Sequence, residues 1–264
     1  MQKFTLALIL SLFVIGSSQA QTSTANKKSA VFFGMGFGLG FPHGEFKTFN
    51  DEVAPGGAFS LYFQPDKKIP VLIGFDMAIL GNGHRSQTET LTAEITAGGT
   101  VIDVLYFPLR AETSNLITKG NVNLRVQAPT NIFKPYIDGL VGFNHFGTTT
   151  SIYDESEEYY FSEEDNPLIT SSSQNSSWAF SYGGALGLMV GINENFFIDL
   201  RFAYTLGSTA EYFVEDDIDQ WDIEFSNTFV SEGDIDESDI SIAAVPKESK
   251  TDMMVGTIGV SFKF

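Results

Sequence analysis

Apolar and small or polar residues alternate with a period of two along most of this chain. In residues 31–41, "VFFGMGFGLGF", Phe33, Met35, Phe37, Leu39 and Phe41 alternate with Gly34, Gly36, Gly38 and Gly40. A period of two is the period of a β-strand, whose successive side chains point to opposite faces. One face of this strand is large and apolar, and the other is nearly bare. Similar alternation returns in residues 58–63, 71–80, 121–128, 136–144, 178–190, 196–206 and 253–264. The glycines of 31–41 do not suit a nucleotide phosphate. A dinucleotide fingerprint needs glycines at i, i+2 and i+5, but the third position falls on Leu39 or Phe41, and no Lys-Ser or Lys-Thr follows.

The connections alternate as well. Residues 65–70, 129–134 and 192–195 are short links, whereas 42–55, 81–119, 150–177 and 208–250 are long. Short and long take turns, as do the periplasmic turns and outer loops of membrane barrels. No stretch beyond the leader reaches the roughly 20 apolar residues of a spanning helix. The expected fold is therefore all-β: an antiparallel transmembrane β-barrel of eight strands, with short periplasmic turns and long extracellular loops. Residues 90–109 read as a hairpin about Gly98 and Gly99, a turn-forming pair. Ten strands are the alternative if this hairpin enters the barrel. Its short, mixed arms favour an extension within the second outer loop, and so eight.

The ends fit this reading. Residues 1–20 have the form of a signal peptide: Lys3, an apolar run of 13 residues, then small Ser18 and Ala20 before a cut near Ala20. Residues 21–30 are expected to be a flexible periplasmic lead-in, and 31–264 the barrel. The last residues, "VGTIGVSFKF", alternate up to a terminal Phe264. Such a strand would leave an apolar edge open in water, but it closes a barrel in lipid.

With these features the chain resembles the small OmpA/OmpX-type outer-membrane barrels, and is similar to the "outer membrane protein beta-barrel domain" family. The resemblance covers almost the whole mature chain and is architectural, with no catalytic signature. It implies residence in the outer membrane of a Gram-negative cell, in contact with its lipid and lipopolysaccharide. Phe264, Phe262 and Val260 match the family's C-terminal insertion signal, which implies recognition by the barrel-assembly machinery. The long segments 81–119 and 208–250 depart from the smallest members.

Charge adds a second layer. The chain carries 33 acidic residues against 15 Lys and Arg, a net charge of −18. Seven of the acids fall in residues 154–165 and thirteen in 208–250. Such a surface excludes nucleic acid, which needs a basic stripe. Clustered carboxylates keep loops hydrated and can take up divalent cations weakly. Asp234, Asp236 and Ser238 match the start of a calcium loop, but Asp239 stands where glycine is required. No cofactor or specific metal site is expected. Tyr153, Tyr159, Tyr160, Phe161, Tyr212, Trp221 and Phe225 lie among the acids and suit a protein or glycan partner.

By the alternation, Asp76, Arg125, Asp138, Asp199, Arg201 and Lys263 point into the lumen. Charges in a narrow barrel must pair, so a plugged lumen with a charge network is expected rather than a channel. His43, His84 and His145 lie near the outer rim, where lipid-modifying barrels keep their sites, but no hydrolase or metalloprotease motif accompanies them. The expected function is non-enzymatic: a structural or binding protein acting through its outer loops, with a place in an envelope complex. A lipid-modifying enzyme and a small channel are the alternatives.

Overall fold

The computed structural model describes residues 29–66, 69–97, 100–130, 132–155, 168–214, 222–225, 240–243 and 245–264. The expected signal peptide, residues 1–20, and most of the expected lead-in lie outside the described residues. So do Asp234, Asp236, Ser238, Asp239, Tyr159, Tyr160, Phe161 and Trp221.

The chain order is β1 (Ala30–Pro42), α1 (Gly44–Phe49), β2 (Ala54–Gln64), β3 (Val71–Ala97), β4 (Thr100–Gln127), β5 (Phe133–Asp154) and β6 (Leu168–Gly191). There follow β7 (Phe196–Gly207), β8 (Thr209–Tyr212), β9 (Asp222–Phe225), β10 (Ile240–Ala243), β11 (Lys247–Lys250) and β12 (Met253–Lys263). Eight of these strands form a closed antiparallel barrel in the order β1-β12-β7-β6-β5-β4-β3-β2. The short strands pair separately, β8 with β11 and β9 with β10. Closure is made by β1, which pairs with β2 on one side and β12 on the other, Phe33 standing opposite Phe262 and Phe37 opposite Ile258. At the seam the Phe264 N–H donates to the Val31 carbonyl at 2.9 Å.

Alternation sorts the side chains in every barrel strand. Phe37, Phe59, Leu61, Phe75, Val122, Leu124, Ile137 and Trp178 face outward, and the most open, Leu186, is 65% exposed. Phe32, Tyr62, Leu72, Tyr136, Met189 and Phe197 face inward and are buried. An apolar belt this broad is not sustained in water. In a bilayer it is the solvated surface, and ring closure leaves no backbone edge unpaired in hydrocarbon. The chain is a transmembrane β-barrel. No helix among the described residues is long and apolar enough to cross a membrane.

The outer half differs from the expected loops. Residues 81–119 are strand on both arms: β3 has 27 residues and β4 has 28. A crossing takes about 9–11 residues, so most of this hairpin stands beyond the lipid. Its ladder continues to Ala97 opposite Thr100. β5 and β6, with 22 and 24 residues, rise beside it. Residues 90–109 therefore lengthen two barrel strands rather than add two. One irregularity marks the exit from the lipid zone: Asn82 and Gly83 of β3 together oppose Asn115 of β4, with Gly83 at φ 101°. This is a bulge, and it sharpens the local twist.

The outer mouth is closed from within. Helix α1 places Phe46, fully buried, against Phe146 and Tyr212, with ring centroids 5.6 Å and 4.8 Å away. Leu80, Ile117, Val214 and Met253 complete this apolar layer. Asn50 Nδ2, just past α1, donates to Asn82 Oδ1 at 2.7 Å and ties the helix to the bulge.

Replacing residues 86–111 with an Asn-Gly turn removes this tower of strands and leaves every barrel pairing below it. The trimmed chain is expected to keep heat-modifiable migration on SDS gels, as a folded barrel does. Loss of that behaviour would show that the hairpin is part of the folding unit.

Candidate functional site

The lumen is crossed by a polar network built on β2, β3, β4, β5 and β7. Arg125 and Asp138 stand directly opposite each other on β4 and β5. Arg125 Nε donates to Asp138 Oδ1 at 2.8 Å, and its second amino group to Oδ2 at 3.0 Å. This forked geometry is the strong form of an arginine–carboxylate pair. Arg201 reaches across from β7, with Nε 3.1 Å from Asp138 Oδ2 and an amino group 2.7 Å from Asp76 Oδ2. Asn121 and Asn123 donate to the two Asp76 oxygens at 2.8 Å and 2.6 Å. Arg125 is 2% exposed, so these contacts stand in for its hydration.

Aromatic rings hold Arg125 from both sides. Its guanidinium carbon lies 3.8 Å from the Tyr62 ring centroid and 3.5 Å from that of Tyr136. Arg125 also donates to the Tyr62 hydroxyl at 2.8 Å. Each tyrosine lies over a glycine on the neighbouring strand: Tyr62 opposite Gly74, Tyr136 opposite Gly187. A Cβ at either glycine would overlap the ring. The glycines thus make the seats from which the tyrosines lean over the arginine.

Asp199 joins this group through Tyr136, whose hydroxyl donates to Asp199 Oδ1 at 2.7 Å. Lys119 is a member that the sequence conceals, because it lies at the end of the segment that reads as loop. Its buried Nζ donates to Thr205 Oγ1 at 2.8 Å. Lys263 is the one expected lumen charge that stands apart. It is half-buried at the periplasmic end of β12, and its backbone N–H donates to the Asn195 carbonyl. The physical reason is height: at the last position of its strand, it lies nearer the periplasmic water than the network.

Beneath the network, Phe32, Leu72, Met189 and Phe197 form an apolar layer. Above it stands the layer around Phe46. Between them a cavity of about 50 Å³ lies beside Gly34 and Gly36, lined by Ser60, Asp76, Asn121 and Arg201. The opening glycine strand therefore borders the remaining space of a filled lumen, as an eight-stranded barrel requires.

The three histidines are not brought together. His43 meets Tyr204 edge-on at 5.6 Å on the outer rim. His84 flanks the bulge in β3. His145 faces outward against Trp178 at 4.4 Å, and its Nε2 lies 3.0 Å from Ser176 Oγ. No group of three metal-ligating side chains occurs among the described residues. Val260, Phe262 and Phe264 share the lipid face of β12 and its end, with Phe262 packed on Phe196 at 5.2 Å. On the tower, Arg110 contacts Glu112 and Glu155 and lies over the Tyr153 ring at 4.7 Å, clasping β4 to the end of β5.

Arg125→Met removes one partner of a buried pair and leaves the Asp138 carboxylate with Arg201 and the Tyr62 hydroxyl. The expected loss of unfolding stability is on the order of 3 kcal/mol. Adding Asp138→Asn should cost less than the two single losses together, measured by urea unfolding in one detergent.

No protein-family model matches this sequence, and no curated protein matches it. Solved structures do. The chain is similar to Ail, the attachment invasion locus protein of Yersinia pestis, at 12% identity over 89% of this chain and 97% of that one, with a TM-score of 0.36. It is similar to the outer membrane protein OprG from Pseudomonas aeruginosa, at 12% identity over 90% and 97% of the two chains, also with a TM-score of 0.36. A major outer membrane protein from Thermus thermophilus matches at 12% identity over 89% and 99%, with a TM-score of 0.37. The assignment itself rests on the closed ladder, the apolar belt and the filled lumen. By these features the chain folds as an eight-stranded transmembrane β-barrel of the outer-membrane type.

Proposed function

We propose that this chain is a non-enzymatic, non-conducting outer-membrane anchor that binds at the cell surface through its strand tower and its acidic, aromatic outer segments. The observation that supports this best is the continuation of β3 and β4 as one paired ladder far beyond the lipid. At about 3.3 Å per residue the hairpin runs on the order of 50 Å along the strand past Gly81. A ladder joined to the barrel wall is a preorganised platform, which lowers the entropic cost of binding. The carboxylates of 154–165 and 208–250 suit weak divalent cations, which would bridge them to lipopolysaccharide phosphates. The tower suits a protein or glycan partner, including another subunit of an envelope complex. Phe264, Phe262 and Val260 are the residues through which the assembly machinery would recognise the closing strand. The apolar layers and the Arg125 network that fill the lumen among the described residues support an anchor over a channel.

The test is the native mass after gentle extraction from outer membranes. A mass above one barrel in its detergent belt is expected. It should fall to the barrel alone when residues 86–111 are replaced by a short turn. A lone barrel in both cases would remove the complex and leave adhesion or ion bridging.

One contact favours a second reading, a lipid-modifying enzyme. His145 Nε2 lies within hydrogen-bond reach of Ser176 Oγ on the outward rim, the spacing that a base and its nucleophile need. No hydrogen bond or ion pair among the described residues gives His145 an orienting carboxylate. The first reading expects no fatty acid release from phosphatidylethanolamine vesicles by the purified barrel. Release that Ser176→Ala and His145→Ala both abolish would establish the second.

A further inference from the structure

The lipid belt is not uniform. Along one row of the barrel wall, Leu39 of β1 stands opposite Gly256 of β12, which stands opposite Phe202 of β7, which stands opposite Leu186 of β6. All four face outward, and three carry large side chains. At Gly256 the belt drops to bare backbone, and a Cβ there would meet nothing within 4 Å. One row nearer the periplasm, Phe37, Ile258 and Leu200 form a second tier. The result is an outward-facing groove of about 600 Å³, floored by β12 and walled by β1 on one side and β7 with β6 on the other. That volume lies within the range of small-ligand pockets, roughly 300–1,000 Å³.

We propose that this groove holds one acyl chain of an outer-leaflet lipid, fixed more firmly than the surrounding lipid. Three observations select this occupant. The groove opens outward within the apolar belt, so the medium that reaches it is hydrocarbon. Its apolar walls offer dispersion contacts on both sides of a flexible chain, which a smooth belt offers on one side only. At its outer end the ring pair of His43 and Tyr204, 5.6 Å apart, stands at the rim. Aromatic rings with polar tips suit the level at which chains join their headgroups. A second copy of the barrel is the competing occupant. A convex wall of large side chains does not enter a groove one residue wide, where Gly256 alone in its row lacks a side chain. A single methylene chain is narrow enough to follow the groove. This inference is independent of what the tower binds.

The experiment fills the groove. Gly256→Phe adds a ring where there is space, in a strand that favours aromatic residues, so the barrel is expected to fold and to keep its heat-modifiable migration. Gly139→Phe is the control. Gly139 also faces lipid and has nothing within 4 Å of a Cβ, but lies elsewhere on the belt, on β5. The full-length chain, extracted from membranes and exchanged into detergent, is titrated with dipalmitoyl phosphatidylglycerol and its adducts are counted by native mass spectrometry. The wild type and Gly139→Phe should retain one tightly held lipid. Gly256→Phe should lose it, with retention at least about fivefold lower. Equal retention by all three chains, or equal loss in both variants, would overturn the proposal. So would a wild-type dimer that Gly256→Phe converts to monomer, since the groove would then belong to a second copy.

Discussion

Backbone hydrogen bonding is the constraint on which this structure depends. In hydrocarbon an unpaired N–H or carbonyl costs several kcal/mol, and a sheet has two edges. Pairing β1 with both β2 and β12 removes them. Much of the sequence follows from that closure. A ring of eight strands is narrow, so its inner face must be small, polar or tightly interleaved. Hence glycine on the inner face of β1, and glycine beneath Tyr62 and Tyr136. The outer face meets lipid and carries the large apolar side chains that a soluble protein would bury.

Filling so narrow a lumen with charge is the second demand. Acids and bases are placed so that each charged group near the centre is hydrogen-bonded. Asp138 takes Arg125 and Arg201, and Asp76 takes Arg201 and two asparagines. Removing any one member strands another, which is why the network reads as a structural core rather than as a conduit.

The spanning half of the fold is legible because alternation of apolar and polar residues is the direct imprint of lipid on one side and lumen on the other. Strand faces at Phe59–Phe63, at Asp76 and at Arg125 follow from spacing alone. That imprint vanishes above the lipid, where both faces meet water. Residues 82–89 and 110–119 then look like loop and 90–109 like a separate hairpin, although both arms are continuous strand. Lys119 is hidden with them. Lys263 is misplaced by the pattern because alternation gives the side of the sheet and not the height within the barrel. The tyrosine seats on Gly74 and Gly187 depend on register, which a single sequence does not display. The outward groove at Gly256 depends on it too, since only pairing shows which large residues flank that glycine.

The sequence distances within the charge network bear on how the barrel assembles. Arg125 and Asp138 belong to one hairpin, only 13 positions apart, so their pair forms as soon as β4 meets β5. Arg201 lies 125 positions from Asp76 and reaches it across the lumen. Loop closure over such a separation comes late. An incomplete sheet would therefore carry a neutralised hairpin beside two charges still waiting for each other. The Arg201–Asp76 pair thus ties β3 to β7 across the lumen, between strands that share no ladder.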